Sequence, residues 1–264
     1  SALVIFIGTI FPLIYETLYS RQITVGRTYY DILVGPLLLI LLGLMIFSVK
    51  LSIKNLNIQK WLNDNVVLIN IALMVTIFTL FLLNNSYILI VTVSFSFLLI
   101  FTTVSNFYKN FRVPKGSNSY WTGQIAHLGI GIFALGIILN VSQSFSTEKE
   151  LNSFQEFNFN NETYFVYDTI EERLPEKNVL KLPISNSKQT KYTSLNIFKN
   201  SSQQAISSPA VFRSIINDIY ITVKFINEDS YKLIVRNNYG VLIMWIGLLI
   251  TSLSFIPRLR KNEV

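Results

Sequence analysis

VVLINIALMVTIFTLFLLNNSYILIVTVSFSFLLIFTTVS, which runs from Val66 to Ser105, contains two apolar segments separated by Asn84, Asn85 and Ser86. Each segment approaches the roughly 20 residues that an α-helix needs to cross the hydrocarbon layer of a bilayer. Because the polar turn between them is so short, the two helices must run antiparallel and lie side by side. This stretch therefore predicts a helical hairpin inside a membrane.

Similar apolar runs recur along the chain of 264 residues, in which 51% of the residues are hydrophobic and only 14% are charged. The sequence predicts a mainly α, polytopic membrane helical bundle of about six spans with one extramembrane antiparallel β insert. The predicted spans are Ala2 to Leu18, Ile32 to Val49, Val66 to Leu83, Tyr87 to Ser105, Trp121 to Val141 and Tyr239 to Ile256. The chain opens directly on SALVIFIGTIFPLIY, so we expect no removable secretory signal.

Charges in the short loops predict the orientation of the spans, because Lys and Arg resist translocation. Basic groups follow the second, fourth and sixth spans: Lys50, Lys54 and Lys60; Lys109, Arg112 and Lys115; and Arg258, Arg260 and Lys261. Their retention on the inner side also accounts for the net charge of +7 without a nucleic-acid partner. We expect five transmembrane helices in residues 1–141, an outer β domain in 142–238, and a last transmembrane helix with a basic inner tail in 239–264.

The insert between the fifth and sixth predicted spans carries strand signals. In DIYITVKFIN, the apolar residues Ile219, Ile221, Val223 and Phe225 alternate with more polar ones, as in a strand with one buried face. Similar short runs occur in TYFVYD, NVLKLPI, SLNIF and YKLIV, divided by clusters of Asn, Ser, Pro and Lys. A small antiparallel β domain in the periplasm or the intermembrane space is the prediction.

The chain has a single histidine, His127, and it lies inside the fifth predicted span. Helical spacing places Gly123, His127, Gly131 and Ala134 on one face, so small residues flank the imidazole and allow another helix or a flat ligand to approach. Two interpretations remain open: a neutral histidine hydrogen-bonded to a neighbouring helix, or an axial ligand of haem iron. A zinc site is disfavoured, because this region contains neither cysteine nor a second histidine.

Other chemical groups are sparse. A second axial ligand for iron would have to come from another chain or from a residue such as Met45, Met74 or Met244. The outer loop carries Arg21 and Arg27, which either pair with haem propionates or are ordinary surface charges. The chain has no cysteine, so any thiol chemistry belongs to a partner or a substrate. A catalytic Ser–His–acid triad and a phosphate-binding loop are also excluded.

Four motifs occur in sequence: GTIFPLIYE from Gly8, ITVGRTYYD from Ile23, AHLGIGIFALGI from Ala126, and an S-x-E-K-E element at Ser146. The first three resemble the GTLxPLxxE, ISVGxPYFN and AHLGVAVxxxGI signatures of the CcmF family, membrane proteins of cytochrome c maturation. A returning span through NNYGVLIMWIGLLI and a terminal PRLRK agree with the order of elements in that family. The chain is similar to the C-terminal part of the family, although Arg27 and Thr28 stand where the family often has prolines.

The resemblance implies a haem-handling subunit that receives haem from a haem chaperone and helps attach it to the CxxCH thiols of apocytochrome c. His127 matches the family histidine that serves as one axial ligand of a b-type haem. Such a haem, held near the outer surface, would keep incoming haem iron ferrous. The other axial histidine, the two histidines that hold incoming haem and the WWD segment lie upstream in the family. We therefore expect a separate N-terminal CcmF-like chain to supply them.

The function predicted on this basis is that of the C-terminal subunit of a split CcmF-like cytochrome c haem lyase, which is not catalytic alone. Its expected location is the mitochondrial inner membrane, with the bacterial inner membrane as the other choice. One alternative is a non-catalytic structural subunit of a larger membrane complex, which predicts no haem at His127. A second alternative is a transporter, which requires a polar route between helices.

Overall fold

The computed structural model describes residues 2–19, 27–49, 57–82, 87–111, 118–199, 205–225 and 230–256. The chain divides into two compact units. The helical unit comprises Ser1–Ile138 and Ile243–Val264, and the β unit comprises Leu139–Leu242.

A helix forms at each of the six predicted apolar runs. The helices are α1 Ala2–Tyr19, α2 Arg27–Ser48, α3 Ile58–Leu82, α4 Tyr87–Phe111, α5 Asn118–Gln143 and α6 Val241–Leu253. Three of them contain a segment that is long and apolar enough to cross a bilayer, namely Ile58–Phe78, Leu89–Lys109 and Tyr120–Gln143. The apolar parts of α1, α2 and α6 within the described residues are shorter. The helical membrane class is thus supported, whereas the predicted number of six spans is not confirmed.

Helix α3 begins eight residues before the predicted span, at Ile58. The residues before Val66 are more polar, but an N-cap at Asn57 allows the helix to start there. The side chain of Asn57 accepts a hydrogen bond from the backbone N–H of Lys60 at 2.9 Å, the usual arrangement at a helix N-cap. Its backbone oxygen also accepts a bond from the N–H of Trp61 at 3.0 Å. The helix therefore starts in polar sequence and carries Trp61 into the buried cluster formed with α2.

The predicted hairpin of α3 and α4 is confirmed by direct contact between the two helices. The hydroxyl oxygens of Thr76 and Ser94 lie 2.9 Å apart across their interface. The turn at Asn84, Asn85 and Ser86 lies outside the described residues. Helix α2 also packs against α4, where the Phe95 ring closely faces Gly43.

The β unit contains two antiparallel sheets, which confirms the predicted class of the insert. The strands are β1 Phe145–Asn152, β2 Glu156–Phe159, β3 Glu162–Val166, β4 Ile170–Arg173, β5 Lys177–Ser185, β6 Thr190–Phe198, β7 Ala205–Ser208, β8 Ala210–Arg213, β9 Asn217–Phe225 and β10 Ser230–Tyr239. The first sheet has the order β1-β10-β9-β8. The second has the order β2-β3-β5-β6-β7, with β4 paired to β5.

One buried cluster draws apolar side chains from both sheets of the β unit. As the alternating pattern predicted, Ile219, Ile221 and Val223 of β9 all point into this core. The second sheet contributes Tyr164 and Ile184, which are fully buried. The side chain of Phe225, the fourth residue of the predicted pattern, lies outside the described residues.

Candidate functional site around His127

His127 is held on α5 by a hydrogen bond within its own helix. Its Nδ1 atom contacts the backbone oxygen of Gly123, one turn earlier. A carbonyl oxygen only accepts hydrogen bonds, so Nδ1 carries a proton, and an imidazole protonated only there keeps a lone pair on Nε2. A backbone carbonyl at Nδ1 is also a common partner of histidines that bind a metal through Nε2.

The Nε2 atom faces the last residue of α2. It lies 3.0 Å from the Oγ of Ser48, which is itself 2.8 Å from the backbone oxygen of Met45. A serine hydroxyl has one proton, so it can donate either to Met45 or to the lone pair of His127, and not fully to both. When the hydroxyl donates to Met45, Nε2 has no donor at this position and its lone pair is free for another ligand.

The C-terminal end of α2 is fixed by two amide side chains from other helices. The backbone oxygen of Val49 accepts a bond from Nδ2 of Asn106 in α4 at 3.0 Å. It is also 3.4 Å from Nε2 of Gln124 in α5. Carbonyl groups at a helix C-terminus lack a partner within the helix, so these contacts satisfy a group that would otherwise be left unpaired. They hold Ser48 at the level of His127.

Two buried polar atoms in this unit have no hydrogen-bond partner among the described residues: Oε1 of Gln124 and Nε1 of Trp61. Gln124 is three residues before His127, and the Trp61 ring packs 4.9 Å from the ring of Phe47, next to Ser48 in α2. Buried polar groups normally bond to protein or water. The end of α2 is therefore one of the places where polar groups are buried in the helical unit.

The two predicted small residues beside His127 have different surroundings. Gly123 faces open space, since a Cβ atom built there meets no other heavy atom within 4 Å. Gly131 is buried, and the same construction places its Cβ 2.8 Å from Cγ1 of Ile100 in α4. Thus Gly131 allows α4 and α5 to pack closely, whereas a side chain at Gly123 would meet no close neighbour.

A second pair of glycines, which sequence reasoning missed, lies where α5 and α6 cross. A Cβ at Gly129 would lie 2.7 Å from the backbone oxygen of Gly247, and one at Gly247 would lie 2.7 Å from the backbone oxygen of Gly129. The signal was the spacing of small residues, because Gly247 and Thr251 are four residues apart on one face of α6. Close backbone approach at this crossing locates α6 on α5.

His127 lies nearer to the N-terminal end of α5 than to its C-terminal end. About 16 residues of α5 follow it, which at a rise of about 1.5 Å per residue corresponds to roughly 24 Å before β1 begins. Only about nine residues precede it in the helix. An iron atom bound here would lie nearer to the end of α5 that follows the basic loop after α4 than to the β unit's end of the helix.

The remaining predicted site residues are not brought to His127 by any observed contact. Arg21 lies outside the described residues, and Arg27 is the first residue of α2 with its side chain outside them. Met45 is packed against the buried cluster of α2 and α3, and Met74 is exposed. The described residues contain no group of three or more His, Cys, Asp or Glu side chains placed to hold a metal ion.

Comparison with known proteins shows which proteins this chain resembles. No family model matches the chain. It is 28% identical over 160 residues to the cytochrome c-type biogenesis protein CcmF of Pseudomonas fluorescens and 26% identical over 161 residues to CcmF of Pseudomonas aeruginosa. Its fold superposes on the solved structure of the cytochrome c haem lyase CcmF with a TM-score of 0.71, covering 97% of this chain at 15% identity. The predicted resemblance to the C-terminal part of the CcmF family is confirmed.

The alignments cover more than half of this chain but less than half of each relative. Each curated alignment covers 57% of the CcmF-like chain and 24% of the relative, and the chain covers 43% of the solved CcmF chain. The CcmF-like chain thus spans about a quarter of the length of the curated relatives it matches. Most of the length of those proteins has no counterpart among these 264 residues.

The residues of the CcmF-like chain fit one axial position of a haem. The Nδ1 proton of His127 is anchored on Gly123, the Nε2 lone pair points away from that anchor, and open space lies beside Gly123. Ser48 has a second acceptor, Met45, to which its hydroxyl can turn. The sequence contains no second histidine, so this chain offers half of a bis-histidine site.

Proposed function

We propose that the chain is the C-terminal subunit of a split CcmF-like cytochrome c haem lyase and that Nε2 of His127 is one axial ligand of its b haem. The observation that carries this proposal is the tautomer of His127, which Gly123 fixes with the proton on Nδ1 and the lone pair on Nε2. A separate N-terminal CcmF-like chain, carrying the WWD segment and the other histidines, supplies the second axial ligand.

The chain contributes position and a low-dielectric environment rather than a reactive group of its own. Asn106 and Gln124 hold the end of α2, and Gly131 holds α4 against α5, so the imidazole is presented on a fixed backbone. When bound, a haem at this place supplies reversible one-electron chemistry.

The other parts of the proposal concern partners. The β unit is assigned to the outer side of the membrane, where it meets a haem chaperone and apocytochrome c. Arg21 and Arg27 lie next to the start of α2 in the sequence and are candidates to pair with haem propionates. The preferred location is the mitochondrial inner membrane, since a divided protein and a composition rich in Ile, Asn, Phe and Lys are typical of organellar genes. Bacterial CcmF relatives make the bacterial inner membrane the alternative.

A second function is favoured by a specific contact. Both ring nitrogens of His127 have a protein partner, Gly123 at Nδ1 and Ser48 at Nε2, so the histidine is satisfied without iron. This arrangement suits a non-catalytic structural subunit that retains the CcmF-like fold in a larger membrane complex. Such a subunit uses His127 to join α5 to α2 and binds no haem.

The two functions are separated by depleting the chain from cells and restoring it as wild type, as His127→Ala or as Ser48→Ala. The haem-lyase proposal predicts that only the His127→Ala cells lose covalent haem on cytochrome c, while apocytochrome c and the assembled complex remain. Normal covalent haem in assembled His127→Ala complexes would favour the structural subunit. The intact mass of the purified subunit tests the split directly, because a chain of this sequence has a mass of 30.3 kDa.

A further inference from the structure

The connection between β8 and β9 carries two adjacent exposed isoleucines, Ile215 and Ile216. Arg213 and Asp218 are paired across the two strands, and the backbone N–H of Ser214 donates to the oxygen of Asn217 at 3.0 Å. The turn between them presents Ile215 and Ile216, whose exposed fractions are 81% and 70%. We call residues Ser214, Ile215 and Ile216 the isoleucine tip.

Two isoleucines are an unfavourable choice for a hairpin turn in water. Short turns are usually built from Gly, Asn, Asp, Ser or Pro, which suit turn conformations and solvent. Scattered exposed apolar residues are common, but Ile215 and Ile216 are adjacent and lie on a protruding connection with no core of their own. The residues of the turn are therefore better explained by an apolar environment than by water.

The tip lies at a defined end of the four-stranded sheet. The backbone oxygen of Ile216 accepts a bond from the N–H of Gly240 at 3.4 Å, and Gly240 directly precedes α6. In the same sheet, Asn217 is paired with Tyr239, the last residue of β10. The isoleucine tip is thus beside the point at which the chain passes from strand β10 into the apolar helix α6.

The end of α5 meets the same region of the β unit. The Nδ2 atom of Asn140 donates to the backbone oxygen of Tyr239 at 3.0 Å. The backbone N–H of Tyr239 donates to Oγ of Ser144 at 3.1 Å. The apolar segment of α5 that is long enough to cross a bilayer ends at Gln143, and the apolar run of α6 starts at Val241. Within the β unit, the tip is therefore close to the residues at which the apolar runs of α5 and α6 end.

From this geometry we infer that the isoleucine tip inserts into the outer interface of the bilayer that α5 enters, and acts as a third attachment of the β unit to the membrane. Its occupant is lipid, since the contact is continuous with two helices whose apolar runs end at the same level. Arg213, directly before the tip, is exposed and lines an open groove with Lys191 and Tyr192. Basic and aromatic side chains at this height suit the headgroup layer above inserted apolar residues.

The inference does not depend on haem ligation at His127, and it can be tested on the full chain. The sequence has no cysteine, so Ile215→Cys and Ile216→Cys each create a single site for a nitroxide spin label. The matched control is Ile206→Cys in β7, an isoleucine that is 57% exposed. The hydroxyl of its neighbour Ser207 donates to the backbone oxygen of Val223 in β9. Val223 is about six residues along β9 from Asn217, so the control site is roughly 20 Å from the tip.

The labelled chain, with its co-purifying partners, is reconstituted in vesicles of phosphatidylcholine and phosphatidylglycerol. Collision of each label with oxygen, which concentrates in lipid, is compared with collision with a water-soluble nickel chelate. We expect the oxygen-to-nickel ratio at positions 215 and 216 to exceed the ratio at 206 several-fold. High nickel accessibility at the tip would show that it lies in water and would overturn the inference. Low accessibility to both reagents would show that protein covers the tip, which also overturns it.

Discussion

The Nε2 atom of His127 and the Oγ atom of Ser48 lie 3.0 Å apart, and this contact joins α5 to the end of α2. It is also the contact that a metal at Nε2 would replace. The hydroxyl of Ser48 already has the backbone oxygen of Met45 within 2.8 Å. Loss of the contact to His127 would therefore leave no polar atom of Ser48 without a partner.

The first prediction concerns Ser48. If Nε2 binds iron, the serine is not needed for ligation, so Ser48→Ala is expected to leave the haem content per complex unchanged. Haem is measured by pyridine haemochrome and divided by the amount of assembled complex. Ser48→Thr is the matched control that keeps the hydroxyl. Haem loss in Ser48→Ala with retention in Ser48→Thr would mean that the hydroxyl itself helps to hold the site.

The second prediction concerns the crossing of α5 and α6. Gly129→Ala places a methyl group against the backbone of Gly247, which cannot turn aside as a flexible side chain can. We expect a loss of about 1–3 kcal/mol in the free energy of unfolding, the usual range for overpacking. The measurement is the thermal midpoint of the purified protein in mild detergent.

Gly123→Ala is the control for that experiment, because nothing lies within 4 Å of the added methyl group. Alanine has the higher helix propensity, so this variant should be as stable as wild type or more stable by up to about 1 kcal/mol. Equal destabilisation by the two substitutions would mean that the crossing at Gly129 and Gly247 does not limit stability.

The third prediction is a pH effect in the β unit. The hydroxyl of the buried Tyr164 donates to a carboxylate oxygen of Glu162 at 2.7 Å, and this bond lowers the pKa of Glu162 from its ordinary value of 4.5. Burial and the neighbouring carboxylate raise the pKa of Tyr164. As the pH falls below 4.5, unfolded chains take up the proton of Glu162 before folded ones do. The stability from this bond is therefore full above pH 4.5 and is lost as the pH falls through the folded-state pKa.

The measurement is hydrogen exchange of the amides in β2 and β3 between pH 3 and 6, corrected for intrinsic exchange rates. Tyr164→Phe removes the hydroxyl that donates to Glu162. In this variant the protection of the amides should change less between pH 6 and pH 3 than it does in wild type. Asn186 also donates to Glu162, so Asn186→Ala should give a smaller change in the same direction. An unchanged pH profile in Tyr164→Phe would contradict this assignment.

The fourth prediction has the opposite sign and concerns Asp218 in β9. Burial is the main cause that raises the pKa of this carboxyl above its ordinary value of 3.8. Folded protein therefore binds the proton first as the pH falls, and the charged form weakens the fold at neutral pH. Asp218→Asn should stabilise β8 and β9 at pH 7 and have little effect below pH 3.8. The protection of their amides against hydrogen exchange is the measurement.

Hydrophobic length and alternation were sufficient to predict the helices, the α3–α4 hairpin and the strand β9, because each pattern is local. The predicted number of six spans is not confirmed, since the apolar runs of α1, α2 and α6 within the described residues are shorter than a span. His127 was identified because a lone histidine in an apolar helix is conspicuous. Its partner Ser48 was not identified, because a contact between residues 79 positions apart depends on how α2 and α5 pack.

The glycines illustrate the same limit. Gly123 and Gly131 share a helical face in the sequence, and only the structure distinguishes an open position from one packed against Ile100. Gly129 went unnoticed because its role depends on Gly247, far away in the chain. Residues of the outer loop, including Arg21, remain predictions.

The central claim is ligation of haem iron by His127, and a reduced-minus-oxidised absorption spectrum of the gently purified complex tests it most directly. Wild type and His127→Ala are compared at equal amounts of assembled complex. The account predicts a b-type haem signal in wild type that is absent from His127→Ala. A wild-type complex that is fully assembled and contains no haem, or a signal that persists unchanged in His127→Ala, would contradict it.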